Sequence, residues 1–317
     1  MSPPPEPPRL LVSSRAGRVR RGGAVRLKRG VYAVAPDDWA RAAAALAGLH
    51  DSALGRQSAA WLLTGGRVSL PAPVDVVTPP GSQSRAPGAH EEPLCDGEVC
   101  EVAGLRVTAP LRTALDIARF LPRRRALPCQ DALTNTGCVR LAEIAAAVAA
   151  LRRVRGVVIA RSLVGEIEPR AESVRETWLR LAIVDGGLPR PQAQLRVLGE
   201  GGAFLGWADL GYARLRLLVE YLGQAAHARA LDADAARGRL LAEEGYAVVP
   251  FTNADLRNAL AVPALVEGAA RRQYDALGLR GPLWVPEPGA AGELAPRSRP
   301  GRLAPPRRLV PARTPRP

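Results

Sequence analysis

The sequence predicts an α/β (α+β) protein with two folded blocks and a tail. Residues 166–278 carry patterns for a helix, three strands, a helix, a strand and a helix, in that order. This order is typical of a mixed sheet covered by helices on both sides. Residues 1–165 combine a basic hairpin, strand-like runs and amphipathic helices. With 317 residues, 47% of them hydrophobic, the chain can build a core in each block.

The elements of the first block follow from local patterns. Apolar residues alternate with Arg and Lys around Gly30 in residues 17–34, which predicts a short basic hairpin. Thr108 and Pro110 mark the start of a helix with one apolar face. The other expected elements are helices at 38–49, 52–63, 127–136 and 141–152 and strands at 74–78 and 98–107, with a Gly/Ser/Pro loop at 79–89.

The second block begins with a helix at 171–184, and Gly186, Gly187 and Pro189 mark its end. Runs of apolar residues then predict strands, and longer periodic stretches predict helices. The expected elements are strands at 194–198, 203–210 and 215–221, a helix at 232–244, a strand at 246–251 and a last helix at 254–277.

The two ends of the chain carry most of its positive charge. The net charge is +14, of which residues 1–60 contribute +6 and residues 280–317 another +6. A basic surface attracts anionic polymers through counterion release, so nucleic acid is the first partner to consider. A GC-rich genome also favours Arg, and Lys28 is the only lysine, so codon usage is an alternative cause. Residues 279–317 lack periodic apolar residues and are expected to be a disordered Pro/Arg-rich tail.

Cysteine and histidine usage argues against a zinc protein. The four cysteines form no CxxC pair, and the three histidines do not complete a zinc ligand set with them. Free thiols are normal in a reducing compartment. The N-terminus has prolines where a signal peptide needs an apolar run, and no 18-residue apolar stretch occurs. We therefore expect a cytoplasmic protein that does not span a membrane.

Two acidic residues in adjacent predicted strands form the candidate reaction site. Asp209 ends one strand, Glu220 lies near the end of the next, and a short turn at 213–214 separates the strands. Paired in an antiparallel ribbon, their carboxylates would meet at one end of the sheet, where Mg²⁺ can bind with the carbonyl of Tyr221 as a further ligand. Glu176 would supply a third carboxylate or orient the water. A metal-bound water is a better nucleophile toward phosphorus, so this site predicts phosphodiester hydrolysis.

Five segments of the second block occur in the order and spacing of a known family. They are AESVRETWLRL at 171–181, GLPRPQAQLRV at 187–197, WADLGY at 207–212, LLVEYLG at 217–223 and GYAVVPFTNADL at 245–256. Through them the block resembles the DUF559, or very-short-patch-repair-like, branch of the PD-(D/E)xK restriction-endonuclease-like fold. The resemblance implies metal-binding roles for Asp209 and Glu220 and the role of the family's acidic helix residue for Glu176. His227 matches the histidine that usually follows the family's Glu-x-Asp-Gly element, which makes it a further catalytic candidate. It also implies Mg²⁺ or Mn²⁺ as the cofactor and DNA as the substrate.

The sequence departs from that family at one position. The family commonly reads Glu-Tyr-Asp-Gly, whereas this chain has Leu222 in place of the second acidic residue. Lys28 cannot compensate because it belongs to the other block. Since a leucine neither binds a metal nor moves a proton, the resemblance implies either an active nuclease or a degenerate descendant of one.

Each candidate residue also has a purely structural interpretation. Glu176 and Arg180 are spaced as a solvent-exposed helix ion pair. Asp209 would then cap the ribbon, and Glu220 would face Arg216 across the turn. His227 would be a loop or helix-end residue. Against this, Asp209 and Glu220 lie in apolar runs, where an unpaired charge is costly.

The first block resembles, more loosely, the AbiEi-type antitoxin proteins. The similarity rests on VRLKRGVYAV at 25–34, QSAAWLLTG at 57–65 and GLRVTAPLRTALDIARFLP at 104–122. It implies a shortened winged-helix-like region at 1–65 and a mixed α/β region at 66–165. The candidate nucleic-acid contacts are Arg20, Arg21, Arg26, Lys28 and Arg29. As an alternative, Arg26 and Arg29 form the solvent face of a hairpin whose other face is core.

The sequence therefore supports two hypotheses from different functional classes. The first is a DNA-interacting protein with a metal-dependent endonuclease-like domain at 166–278, or a degenerate derivative. The alternative is a non-catalytic, antitoxin-like transcriptional regulator that binds its own operator through the basic hairpin. A third hypothesis, a scaffold whose vestigial pocket binds a partner, is compatible with Leu222. RNA as a substrate, a cognate toxin as a partner and the oligomeric state stay open.

Overall fold

The computed structural model describes residues 11–12, 24–28, 31–34, 37–82, 87–223 and 231–285. It confirms a mixed α/β protein. The chain divides into two compact units, the first ending at Ile167 and the second beginning at Glu168. The boundary between the winged-helix-like region (1–65) and the mixed α/β region (66–165) stays a prediction. Among the described helices, none has the length and apolar character that a membrane span requires.

The first unit opens with a small antiparallel sheet. Its strands are β1 (Leu11–Val12), β2 (Ala24–Lys28) and β3 (Val31–Val34), in the order β1-β3-β2. Ala24 pairs with Val34 and Arg26 with Tyr32. The antiparallel pairing expected for the predicted hairpin is therefore present in β2 and β3.

A five-stranded sheet forms the middle of the first unit. Its strands are β4 (Ala53–Leu54), β5 (Val76–Thr78), β6 (Ala89–Glu91), β7 (Val99–Val102) and β8 (Leu105–Thr108), in the order β6-β5-β4-β8-β7. The single strand predicted at 98–107 is a hairpin, because Ala103 and Gly104 both take positive φ and turn the chain. The helix predicted from residue 52 starts later, after β4.

Six helices complete the described part of the first unit. They are α1 (Asp38–Leu46), α2 (Arg56–Leu63), α3 (Pro110–Phe120), α4 (Arg123–Asn135), α5 (Leu141–Ala150) and α6 (Val157–Val164). Residues 126–133 of α4 are all buried, so this helix runs through the core. The sequence patterns predicted five of the six, and α6 was missed.

The second unit has the predicted order of elements. They are α7 (Val174–Asp185), β9 (Gln192–Leu198), β10 (Phe204–Tyr212), β11 (Leu217–Tyr221), α8 (Leu231–Glu243), β12 (Ala247–Phe251), α9 (Asn253–Arg257) and α10 (Val262–Ala276). The sheet runs β12-β11-β10-β9, with β11 and β12 parallel and the other pairs antiparallel. The last predicted helix is interrupted at Asn258, whose ψ of 56° is not helical.

Helices cover both faces of this sheet, as the order of elements predicted. On one face, Leu179 of α7 and Val266 of α10 pack with Val219 of β11 in one buried cluster, the α7/α10 cluster. On the other face, Leu241 of α8 packs with Leu218 of β11. Alternate residues of β11 therefore face different helices, as expected for a strand buried on both sides.

The sequence analysis placed the start of the tail too early, at residue 279, because residues 279–284 contact the second unit. Leu279, Leu283 and Trp284 pack against the α7/α10 cluster, and the Trp284 ring lies 4.8 Å from that of Tyr212. The Arg214 guanidinium donates to the carbonyls of Arg280, Pro282 and Leu283 at 3.1, 2.9 and 3.2 Å. The ring of Trp284 and the hydrogen bonds from Arg214 therefore hold residues 279–284 on the second unit, although this segment has no helical or strand periodicity. Residues 286–317 lie outside the described residues.

Candidate carboxylate centre

Asp209 and Glu220 lie opposite each other at one end of the β10–β11 ribbon. The strands pair antiparallel with Tyr212 opposite Leu217 and Leu210 opposite Val219. Continuing this register by one residue sets Asp209 against Glu220, at the end away from the 213–215 turn. Directly opposed residues of an antiparallel pair share a face. The ribbon therefore brings together the two residues that the sequence singled out.

Asp209 caps the open end of this ribbon. Its Oδ2 accepts a hydrogen bond from the backbone N–H of Tyr221 at 2.8 Å, beyond the last paired residues. Burial raises the pKa of Asp209, and the charges of Glu220 and Glu172 act in the same direction. The Tyr221 N–H and Arg237 oppose this rise without cancelling it. Asp209 therefore caps the ribbon at its open end, not as the turn residue of the structural alternative, and it lies near other acidic residues.

Glu176 joins this group from the first turn of α7. Ser173 caps the helix by accepting the Glu176 N–H, and Glu176 Oε2 accepts from the backbone N–H of Glu172 at 2.9 Å. Burial and the charge of Asp209 raise the pKa of Glu176 to about 7. Glu176 and Arg180 are 7% and 2% exposed, so they do not form the solvent-exposed ion pair of the structural interpretation.

The counter-ion of Glu220 is Arg237 of α8. The guanidinium donates to both carboxylate oxygens, at 2.8 and 3.1 Å, and also to the carbonyl of Trp207 at 3.2 Å. The alternative partner suggested by the sequence, Arg216, donates instead to the carbonyl of Glu244 at 2.6 Å. Sequence reasoning missed Arg237, although its i, i+4 spacing to the apolar Leu241 marks the face of α8 that meets the sheet.

Gln194 is a second residue that the sequence analysis did not identify. Its Nε2 donates to Glu176 Oε2 at 3.2 Å. Its φ is +49°, an uncommon conformation for a residue with a side chain, and its neighbours Ala193 and Leu195 pack in different core clusters. Non-glycine residues held at positive φ cluster at functional sites. No feature of the sequence around Gln194 indicates this conformation.

Leu222 and Tyr221 follow Glu220 at the end of β11. The Leu222 side chain is 38% exposed, and its backbone N–H donates to the carbonyl of Phe251 at 2.7 Å. Tyr221 packs its side chain against the α7/α10 cluster and gives its N–H to Asp209. An apolar side chain therefore borders the centre where the family resemblance implies an acidic one.

As arranged, the centre does not fit the divalent ion that the resemblance implies. Carboxylate oxygens are the ligands that Mg²⁺ prefers, so the chemistry of Asp209 and Glu220 suits such an ion. However, both oxygens of Glu220 accept from Arg237, and Oδ2 of Asp209 accepts from Tyr221. Within the described ranges, no group of three or more His, Cys, Asp or Glu side chains is arranged to hold a metal ion.

The remaining candidates cannot be placed. His227, Arg20, Arg21 and Arg29 lie outside the described residues. Arg26 and Lys28 lie in β2, where the backbone is described but these two side chains are not. Their proposed roles stay predictions.

Comparison with known proteins gives relatives without a described activity. No family model matches the chain, and no solved structure matches it. Two proteins, from two strains of Mycobacterium tuberculosis, are each 34% identical to it over 245 residues, which is 76% of this chain and 89% of each relative. Both bear the description "uncharacterized protein".

Proposed function

The chain belongs to one family with the two uncharacterized Mycobacterium tuberculosis proteins, and we propose that it is a DNA-interacting protein with an endonuclease-type hydrolytic centre. The centre comprises Glu176, Asp209 and Glu220. The observation that carries the proposal is that Asp209 lies near both Glu220, on the adjacent strand, and Glu176, on α7, and that burial and Asp209 raise the pKa of Glu176 to about 7. Buried carboxyl groups with raised pKa values, as at Glu176 and Asp209, are typical of reaction centres.

Glu176 is the residue best suited to move a proton. Phosphodiester hydrolysis by water requires a group that accepts a proton from the attacking water. A carboxyl with a pKa of about 7 exchanges its proton readily near neutral pH. Gln194 and the Glu172 N–H hold its Oε2, so the carboxyl is oriented before substrate arrives. No step is assigned to a divalent ion, because the carboxylates as arranged do not accommodate one.

A nuclease assay tests the proposal. Wild-type protein and the variants Asp209→Ala, Glu220→Ala and Leu222→Asp are incubated with supercoiled, linear and single-stranded DNA and with RNA, with and without Mg²⁺ or Mn²⁺. We expect nicking or cleavage by the wild type that is lost in both alanine variants and increased in Leu222→Asp. If every folded form leaves every substrate intact, the centre has no hydrolytic function.

A regulatory function is the second candidate, and the β2–β3 hairpin favours it. Arg26 and Lys28 lie in β2 of an antiparallel pair, and short basic hairpins can contact DNA phosphates. We propose that, in this case, the protein binds its operator without cleaving it. Footprinting of the DNA upstream of its gene distinguishes the two functions: a regulator protects one defined site, and Arg26→Ala with Lys28→Ala removes that protection. A cleaving enzyme without sequence preference leaves no such footprint.

A further inference from the structure

The carboxylate centre contains a positive charge supplied by the protein itself. Arg237 donates from two nitrogens to the two oxygens of Glu220, at 2.8 and 3.1 Å. Bidentate arginine–carboxylate pairs are the strongest form of this interaction, because both hydrogen bonds are charge-assisted. Glu220 is 15% exposed and Arg237 35% exposed at the side chain, so the pair is only partly screened by water.

Two further contacts fix where Arg237 points. Its Nη2 also donates to the carbonyl of Trp207, on β10 two residues before Asp209. One helical turn later, Leu241 is 1% exposed in the cluster with Ala208 and Leu218. Residues at i and i+4 share a helix face, so the packing of Leu241 directs Arg237 toward the end of the ribbon. The position of the guanidinium is therefore set by the sheet and by α8 together.

This arrangement conflicts with ion binding at the same carboxylates. A divalent cation shared by Asp209 and Glu220 needs oxygens of Glu220, and those oxygens already hold the guanidinium. Two cations at the same oxygens repel each other strongly in a partly buried site. The ion and the present Arg237 position therefore exclude each other, which accounts for the poor fit of an ion to the centre as it stands.

We propose that Arg237 takes the place of a divalent ion at Glu220 and so keeps the carboxylate centre closed to such ions. The proposal rests on the proposed function in that it concerns the same centre, but it makes a claim about ion binding alone. Removing the guanidinium should open both oxygens of Glu220 to an oxygen-seeking ion such as Mn²⁺.

Manganese binding tests this directly, without any reaction. Free Mn²⁺ is measured by electron paramagnetic resonance during titration of wild-type protein, Arg237→Met and Arg237→Lys. Methionine keeps the helix propensity and the length of the side chain but removes the charge. We expect Arg237→Met to bind Mn²⁺ at least about tenfold more tightly than the wild type, and Arg237→Lys to stay close to the wild type. The double variant Arg237→Met/Asp209→Ala should lose the gain.

Arg239→Met is the matched control, because it makes the same substitution on an exposed position of α8. Its Mn²⁺ affinity should equal that of the wild type. Unchanged or weaker affinity in folded Arg237→Met overturns the proposal. Should Arg237→Met unfold without metal, Mn²⁺ must restore its folding, because an ion that binds the native state stabilises it. Failure of Mn²⁺ to do so also overturns the proposal.

The nuclease assay separates this inference from the proposed function. If Arg237→Met gains Mn²⁺ affinity but neither it nor the wild type cleaves nucleic acid, the exclusion of ions by Arg237 stands and the hydrolytic function fails. If the wild type cleaves nucleic acid in a manner that depends on Asp209 while Arg237→Met gains no Mn²⁺ affinity, the function stands and the exclusion of ions by Arg237 fails.

Discussion

Burial of Glu176 makes the stability of the protein depend on pH. Its carboxyl lies at 7% exposure beside Asp209, and both burial and that charge disfavour ionisation. The folded protein therefore holds the Glu176 proton up to a pKa of about 7, compared with 4.5 for an ordinary glutamate. The group contributes stability that is fully present below pH 4.5 and is lost as the pH rises through 7.

Glu176→Gln should remove this pH dependence. The amide stays neutral, and its oxygen can still accept from the Glu172 N–H and from Gln194. Relative to the wild type, the variant should gain about 3 kcal/mol in unfolding free energy between pH 4 and pH 8, which follows from the raised pKa. Urea titrations of both proteins across this range measure the difference.

An exposed glutamate of the same unit provides the control. Glu267 pairs with Arg271 on the surface of α10, and Glu267→Gln makes the same chemical change there. Its effect on stability should stay within about 0.5 kcal/mol at every pH. A Glu176→Gln difference that is flat with pH would show that the pKa of Glu176 is the same in the folded and the unfolded protein, and the proton-transfer role proposed for it would then fail.

At the scale of elements, the contact between α7 and α10 determines how closely the helices cover the sheet. Gly186 ends α7, and a Cβ built on it would overlap Cγ and Cβ of Pro263, the second residue of α10. The backbone conformation of Gly186 is ordinary, with φ −79°, so strain is not the reason for glycine here. The close approach of the two helices requires a residue without a side chain.

Gly186→Ala should therefore destabilise the protein by about 1–3 kcal/mol, the usual effect of overpacking. The matched control is Gly238→Ala in α8, where a Cβ would have no atom within 4 Å. In that helix interior alanine should stabilise by about 0.5–1 kcal/mol, because it lowers the entropy of the unfolded chain. Opposite shifts of the two urea midpoints support this account, and a neutral Gly186→Ala would contradict it.

The elements that could be predicted from the sequence are those specified by local patterns. The apolar runs of β10 and β11 and the turn between them set the ribbon, and the pairing of these strands brings Asp209 to Glu220. β6 could not be predicted, because three residues in a Gly/Ser/Pro-rich region become a strand by pairing with β5. Similarly, α6 gains stability from tertiary burial of Ala160 and Leu163.

The same distinction applies to the candidate site. Asp209 and Glu220 are eleven positions apart in adjacent strands, so local pairing was sufficient to join them. Arg237 reaches Glu220 from α8 on the other side of residues 224–230, and Gln194 reaches Glu176 through a backbone conformation that its own residue type disfavours. The i, i+4 spacing of Arg237 and Leu241 marks the face of α8 that meets the sheet, but it does not indicate which residue Arg237 contacts.

At the scale of the whole molecule, positive charge and the carboxylate centre belong to different parts of the chain. Residues 1–60 and 280–317 carry +6 each, which leaves +2 for everything between them. Under the proposed function, the ends supply attraction for nucleic acid phosphates and the second unit supplies the chemistry. Residues 279–285 connect the second unit to the basic residues that follow in the chain, because Leu279, Leu283 and Trp284 pack on that unit.

Truncation can test whether residues 279–285 stabilise the second unit. A chain ending at Val285 keeps the packing of Trp284 on Tyr212 and the hydrogen bonds from Arg214. A chain ending at Gly278 loses both, and its second unit should be less stable by about 2–4 kcal/mol, since a partly buried aromatic ring and its anchoring contacts are removed.

Trp284→Ala in the full chain separates the effect of the ring from that of chain length. This substitution should lower the unfolding free energy by about 1–2 kcal/mol, half of the loss expected for the chain ending at Gly278, because the Arg214 hydrogen bonds to backbone carbonyls remain. Urea unfolding of the three proteins and of the full chain measures these differences. If the chain ending at Gly278 unfolds at the same urea concentration as the one ending at Val285, residues 279–285 contribute nothing to the fold, and the boundary of the folded unit returns to residue 278.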